Sequence, residues 1–257
     1  MSVPVLNLQN EKIGEVELPK VFDTPYRPDV INKAVIAQQS HGFQPQGRDP
    51  MAGKRTTAES WGTGRGIARV PRLKGSSRAA FGVSIVGGHQ AFPPSSEKVI
   101  RKEINKKERK LAIRSGIAAT GSRDIVAGRG HIIDTVSQLP LTVGDEVQSL
   151  QKTKEVKELF TKLGIWQDVE RADRKKIRAG RGKTRGRKRK VGRGPLIVVT
   201  EDLGIFKAAG NLPGVNVVKI EDLNAELLAP GAHPGRLVVW SESALKSLDE
   251  LWGEGSR

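Results

Sequence analysis

Leu196-Ile197-Val198-Val199 is the longest clear apolar run in the chain, and with Thr200 it decides the fold. Four consecutive aliphatic residues leave no polar side. The strand they predict is therefore buried on both faces, as strands are in a parallel sheet covered by helices. Working outward, residues 205–209 predict a short helix and 215–220 a second strand, with Asp222 capping a helix that runs to Leu228. Residues 237–240 predict a third strand. Ser241 caps a closing helix that holds Ala244, Leu245, Leu248 and Leu251. Upstream, Leu141 and Val143 mark a short strand. Residues 154–163 predict a helix with Val156, Leu159, Phe160 and Leu163 on one face. Strands alternating with helices give an α/β fold with a largely parallel sheet flanked by helices.

The N-terminal third adds to this body. Val3, Val5 and Leu6, the turn residues Asn10 and Glu11, then Ile13, Val16 and Leu18 predict a hairpin. Pro28 and Asp29 open a helix with Val30, Ile31, Ala34, Val35 and Gln38 on one side, fading at Ser40-His41-Gly42. A long helix is expected from about Val99 to Gly121, basic in its first half and apolar in its second, with Gly121 as its C-cap.

Two basic stretches interrupt the pattern. Residues 43–96 are rich in Gly, Pro, Ser, Arg and Lys and show no sustained period. A structureless stretch of this length inside a domain is usually functional or disordered. Residues 171–193 carry 13 Lys and Arg against one acid, Asp173, a balance that cannot support a domain of its own. The expected organisation is a globular body over 1–42 and 97–257, a long basic loop extension over 43–96, and a short basic insertion over 171–193 within the body.

Charge points to the partner. The 44 Lys and Arg against 28 Asp and Glu give a formal charge of +16, which a polyanion would neutralise. Nucleic acid is the commonest polyanion, and an anionic membrane is its rival. No run approaches the roughly 18 apolar residues of a membrane span, and the N-terminus does not read as a signal peptide. With no cysteine, disulfides, thiolate metal sites and a Cys nucleophile are excluded. A soluble cytoplasmic protein is expected.

The candidate contacts follow from residue chemistry. In the insertion, Arg181, Lys183, Arg185, Arg187, Lys188, Arg189, Lys190 and Arg193 are spaced by glycines. Glycine lets the backbone approach phosphates closely, and Arg grips phosphate through two parallel hydrogen bonds. The alternative, a solvated tail or localisation signal, fits less well because the segment lies between core elements. In the long loop, Trp61 and Phe81 sit among Arg55, Arg65, Arg69, Arg72, Lys74 and Arg78, with Arg48 and Lys54 upstream. Aromatic rings and Arg planes stack on unpaired bases, and the less favoured alternative is that Trp61 packs on its own chain. Lys106 and Lys107 complete the set.

Enzyme signatures are weak. Gly62-Thr63-Gly64-Arg65-Gly66 lacks the third dinucleotide glycine, at Ile67. Gly182-Lys183-Thr184 lacks the first P-loop glycine, at Ile177, and neither follows a predicted strand. The four histidines are scattered and form no HExxH pair, and no G-x-S-x-G elbow occurs. No catalytic residue, cofactor or metal is expected.

Asn105-Lys106-Lys107-Glu108-Arg109-Lys110-Leu111-Ala112-Ile113-Arg114-Ser115-Gly116-Ile117-Ala118-Ala119-Thr120-Gly121, then seven residues, then Arg129-Gly130-His131, resembles the signature of the large-subunit ribosomal protein L-four family in its archaeal and eukaryotic branch. Gly116 stands where Ala is expected. Trp61 to Gly66, Arg69-Val70-Pro71-Arg72 and Gly88-His89-Gln90-Ala91-Phe92-Pro93-Pro94 resemble the family's extended loop. The resemblance spans almost the whole chain, and its short length points to an archaeal member. It implies a structural constituent of the large ribosomal subunit that binds ribosomal RNA early in assembly. The implied loop lines the polypeptide exit tunnel, with its tip at Gly64, Arg65, Gly66, Ile67, Arg69 and Arg72, close to the L-twenty-two family and the nascent polypeptide. Two other classes stay open: another RNA-binding protein, such as an RNA chaperone or a chromatin protein, and an RNA-directed nuclease or methyltransferase. A loop that orders only on ribosomal RNA would tell against the first, and turnover by the pure protein would revive the second.

Overall fold

The computed structural model describes residues 2–253. They fall into two compact units, Met1–Gln39 with Lys102–Arg257, and Ser40–Arg101. The first unit opens with β1 (Ser2–Leu6), β2 (Lys12–Glu17) and α1 (Pro28–Ser40). The second unit holds β3 (Ala58–Ser60) and β4 (Pro71–Leu73). The chain then returns to the first unit with α2 (Lys106–Gly121), α3 (Arg123–Gly128), β5 (Leu141–Val143), α4 (Thr153–Lys162) and α5 (Trp166–Asp173). A small antiparallel pair, β6 (Lys176–Ile177) and β7 (Arg189–Lys190), precedes β8 (Leu196–Val199) and α6 (Ile205–Gly210). β9 (Asn216–Lys219), α7 (Ala225–Leu228), β10 (Val238–Ser241) and α8 (Glu242–Trp252) complete it.

The main sheet has the order β2-β1-β5-β10-β8-β9, and only the edge strand β2 runs antiparallel to its neighbour. The apolar run at its centre behaves as its composition demands. Side chains alternate across a strand, so Leu196 and Val198 join one core layer while Ile197 and Val199 join the other. Helices α1, α2, α7 and α8 cover the first layer, where Phe22 meets the buried Trp240 edge-on at 6.1 Å. Helices α4, α5 and α6 cover the second, around Phe160.

Several elements differ from expectation. The long helix begins at Lys106, not near Val99. Val99 is exposed, and of the residues just before Lys106 only Ile104 packs against the body's core, too little apolar surface to hold a further helical turn. Gly121 is not a left-handed C-cap. It is the last residue of α2, and Ser122 turns the chain out at φ −89°, ψ 117°. Its hydrogen side chain matters for packing instead, because a Cβ there would stand 3.1 Å from Phe22 Cδ1. Asp222 does not cap α7. Asn224 does, its side chain accepting the Leu227 amide at 2.9 Å. Ser241 caps α8 as expected, accepting the Ala244 amide. Helices α3 and α5 were not foreseen.

The second unit has little of a core. Among its described residues Ala80 is the one buried apolar side chain. β3 and β4 pair over three residues each, and the Arg48 amide bonds the Pro94 carbonyl at 3.1 Å.

Candidate nucleic-acid interface

Within the 171–193 segment, the chain after α5 forms a hairpin. β6 pairs with β7 through Lys176 opposite Lys190 and Ile177 opposite Arg189. A 3-10 turn over Arg181–Arg185 joins them, and Gly180 and Gly186 flank it at φ +76°. The turn is held by main chain: Arg187 N donates to Gly182 O at 3.0 Å, and Arg178 N to Lys188 O at 2.9 Å. The side chains are therefore free of structural duty. Arg181, Lys183, Arg185, Arg187, Lys188, Arg189, Lys190 and Arg193 are all exposed. Ile177, 70% exposed, gives the hairpin no core of its own. What fixes it is its stem.

The stem is built around one buried carboxylate. Asp168, on α5, is fully buried. Its Oδ2 lies 2.9 Å from His131 Nδ1, and its Oδ1 accepts the Ile132 amide at 3.1 Å and Arg171 Nε at 2.8 Å. Arg171 then donates through Nη2 to the Arg193 carbonyl at 2.6 Å, closing the hairpin's base. Burial raises the Asp168 carboxyl, but the bonds from His131 and Arg171 outweigh it and hold it below the ordinary carboxylate range. Burial pushes the His131 imidazole below its usual value despite Asp168. The ring is thus neutral near pH 7, and as the tautomer protonated at Nδ1 it donates a hydrogen bond to the ionised carboxylate.

Arg236 ties the same region from the other side. It is 1% exposed, and its guanidinium donates to the carbonyls of Gly194, Pro195, Gly214 and Leu227 and to Asn216 Oδ1 at 2.7 to 3.3 Å. Burial pushes it down to about 9, which leaves it a cation near neutral pH. Gly194 and Gly214 also bond main chain to main chain at 2.9 Å. Gly214 takes φ +73°, and a Cβ there would come within 2.7 Å of Gly194 N, so only glycine fits.

The remaining candidates divide by how their own chain uses them. In the second unit, Lys54, Arg69, Lys74 and Arg78 are exposed, and no carboxylate pairs with them among the described residues. Arg55 pairs with Asp49. Arg48 donates to Ala52 O at 3.0 Å and Gln90 at 3.3 Å, and half-buried Arg72 holds the Ala68 and Ser77 carbonyls. Trp61 is half-buried, with Arg65 and Arg72 guanidinium carbons 5.2 and 6.0 Å from its ring centre. Gly62, Gly64 and Gly66 all take left-handed φ, from +63° to +83°. Ile67 beside them is 41% exposed. In the body, Lys106 and Lys107 are exposed in the first turn of α2. Cations at that end oppose the helix dipole, so they do not serve the helix. Sequence reasoning missed Asp168, Arg171 and Arg236. Arg129-Gly130-His131 was the only pointer to this stem.

A family model described as the ribosomal protein L4/L1 family matches residues 16–251. Proteins named large ribosomal subunit protein uL4 are similar over nearly the full length. That of Methanosphaera stadtmanae is 50% identical over 251 residues, 97% of each chain. That of Methanopyrus kandleri is 50% identical over 99% of this chain and all of its own. That of Archaeoglobus fulgidus is 49% identical over 97% of this chain and 99% of its own.

Proposed function

The chain belongs to the ribosomal protein L4/L1 family, and on that premise we propose that it is a structural constituent of the large ribosomal subunit, not an enzyme, that binds large-subunit ribosomal RNA in the cytoplasm. The observation that carries the RNA contact is the hairpin, in which seven exposed cations stand on a backbone-held turn and its strand, with Arg193 exposed at a hydrogen-bonded stem. Such an arrangement presents a phosphate-binding surface without costing the fold. With about 8 phosphates neutralised, log affinity falls with log salt at a slope of about −7. Titration of a large-subunit ribosomal RNA fragment across salt concentrations checks this, and a slope near zero contradicts it.

The second unit is the family's extended loop under this proposal. Its scarcity of buried apolar side chains supports that role, because backbone ordering costs roughly 1 to 2 kcal/mol per residue and needs an outside partner to offset it. Lys54, Arg69, Lys74 and Arg78 are its best phosphate ligands, while Arg48, Arg55 and Arg72 shape the loop. Gly64, Arg65, Gly66, Ile67, Arg69 and Arg72 form the tip lining the exit tunnel, near the L-twenty-two family. The left-handed glycines there allow the tight reversal the tip needs. Photo-cross-linkers at Ile67 or Arg69 are expected to capture nascent chains in translating ribosomes. If neither ever does, the loop is an anchor only.

A further inference from the structure

Four arginines converge on the hairpin stem. Arg171 holds the Arg193 carbonyl, and Arg236 holds the next one, at Gly194. Arg129 follows α3, whose Ile125 packs so closely on Gly235 that a Cβ there would meet the Ile125 carbonyl at 2.8 Å. Among the described residues, Asp168 is the one carboxylate hydrogen-bonded to any of the four, through Arg171. The local balance is thus four guanidiniums to one acid. Arg129 and Arg171 repel each other, as do Arg236 and both Arg193 and Arg129. Arg129 donates through Nη2 to the Pro230 carbonyl at 3.0 Å, while its Nη1 has no hydrogen-bond partner. Arg193 is exposed, and the Arg171 side chain is 26% exposed, so the cluster opens to the surface.

We propose that this stem is a built phosphate site, formed by Arg129, Arg171 and Arg193 with Arg236 behind them, which takes one backbone phosphate of the bound RNA. It rests on the RNA-binding reading above and adds a specific docking point to it. Guanidiniums bind phosphate oxygens in pairs, and low-dielectric walls strengthen the field of the buried charges at the rim. Asp168 neutralises only part of that field, and it sets the angle of Arg171. The turn of the hairpin lacks such support and grips phosphates with mobile side chains. The stem is the point where the RNA backbone is fixed in register.

The test uses the full chain and two charge-matched double variants. R129Q/R193Q removes two charges from the stem, and R185Q/R187Q removes two from the turn. Melting is followed in sodium phosphate against sodium chloride at matched ionic strength. Phosphate is expected to raise the melting temperature saturably in the parent and in the turn variant, and to lose that effect in the stem variant. R129K and the single R193Q guard against a folding defect: R129K keeps part of the rise, and R193Q loses part of it. A second arm measures the salt slope for a large-subunit ribosomal RNA fragment, which R193Q makes shallower by about 1. Equal phosphate responses in both double variants overturn the stem site while a steep parental slope preserves the RNA reading. A phosphate response with an unchanged RNA slope in R193Q also overturns the proposal, since the site then takes free phosphate. A flat parental slope removes the RNA reading itself.

Discussion

Replacing Arg185, Arg187, Lys188 and Arg189 together by glutamine is expected to weaken binding to large-subunit ribosomal RNA by about a thousandfold near physiological salt. The magnitude follows from counterion release. Each phosphate contact contributes about 0.9 to the salt slope, which at 0.15 M is roughly five- to sixfold in affinity, and four contacts compound. The slope itself should fall by about 4. The body should be untouched, because these side chains are exposed and the turn is held by main-chain bonds such as Arg187 N to Gly182 O. Fluorescence titration with a labelled fragment measures the affinity, and a thermal melt measures the fold. A loss below tenfold would remove the hairpin from the interface. Loss of the cooperative transition would make it a structural element instead.

Asp168→Ala is expected to cost about 3 to 5 kcal/mol of stability, the range seen when one partner of a buried ion pair is removed. The carboxylate is fully buried, and its deletion strands Arg171, the Ile132 amide and the His131 Nδ1 proton together. For a chain of this size the melting temperature should fall by about 10 °C or more. The parent's pH profile carries the same signature. His131 is held below its ordinary value of 6.5, so the unfolded chain takes up that proton first, and stability declines as pH falls below about 6.5. Asp168 is held below its ordinary 3.8, so its contribution is present above that value and lost as pH falls toward the folded value. Both effects act in the same direction. His131→Gln should flatten the upper part of the decline and leave the lower. A denaturant melt across pH 3 to 8 reads both, and a flat profile in the parent would contradict the network.

Much of the body is legible in the chain because burial imposes a period. Leu196 to Val199 is apolar at every position, and the structure buries both of its faces. Ser241 is a polar residue where a helix must start, and it caps α8. Where several signals compete, reading fails. Helix α5 escapes notice because its buried side is only Val169, Ala172 and Asp168, an acid that reads as surface until its partners are known. The expected helix is overlong because its basic first half reads as continuous with the apolar second half, whereas regular helix starts only at Lys106. The candidate contacts rest on charge, position and one aromatic ring, which point to a surface but not to its supports. Asp168 lies 37 residues from His131 in the chain, and nothing in either neighbourhood announces the other. Charge likewise does not announce that Arg72 holds the carbonyls of its own loop.

The central claim is that this chain lives on large-subunit ribosomal RNA. Ultraviolet cross-linking of the tagged full chain in growing cells, followed by sequencing of the attached RNA, tests it most directly. The account predicts that large-subunit ribosomal RNA dominates the recovered sequence in a few discrete segments, and that the hairpin glutamine variant loses part of that signal. Recovery spread over messenger RNA, or no enrichment of ribosomal RNA over an untagged control, would contradict it.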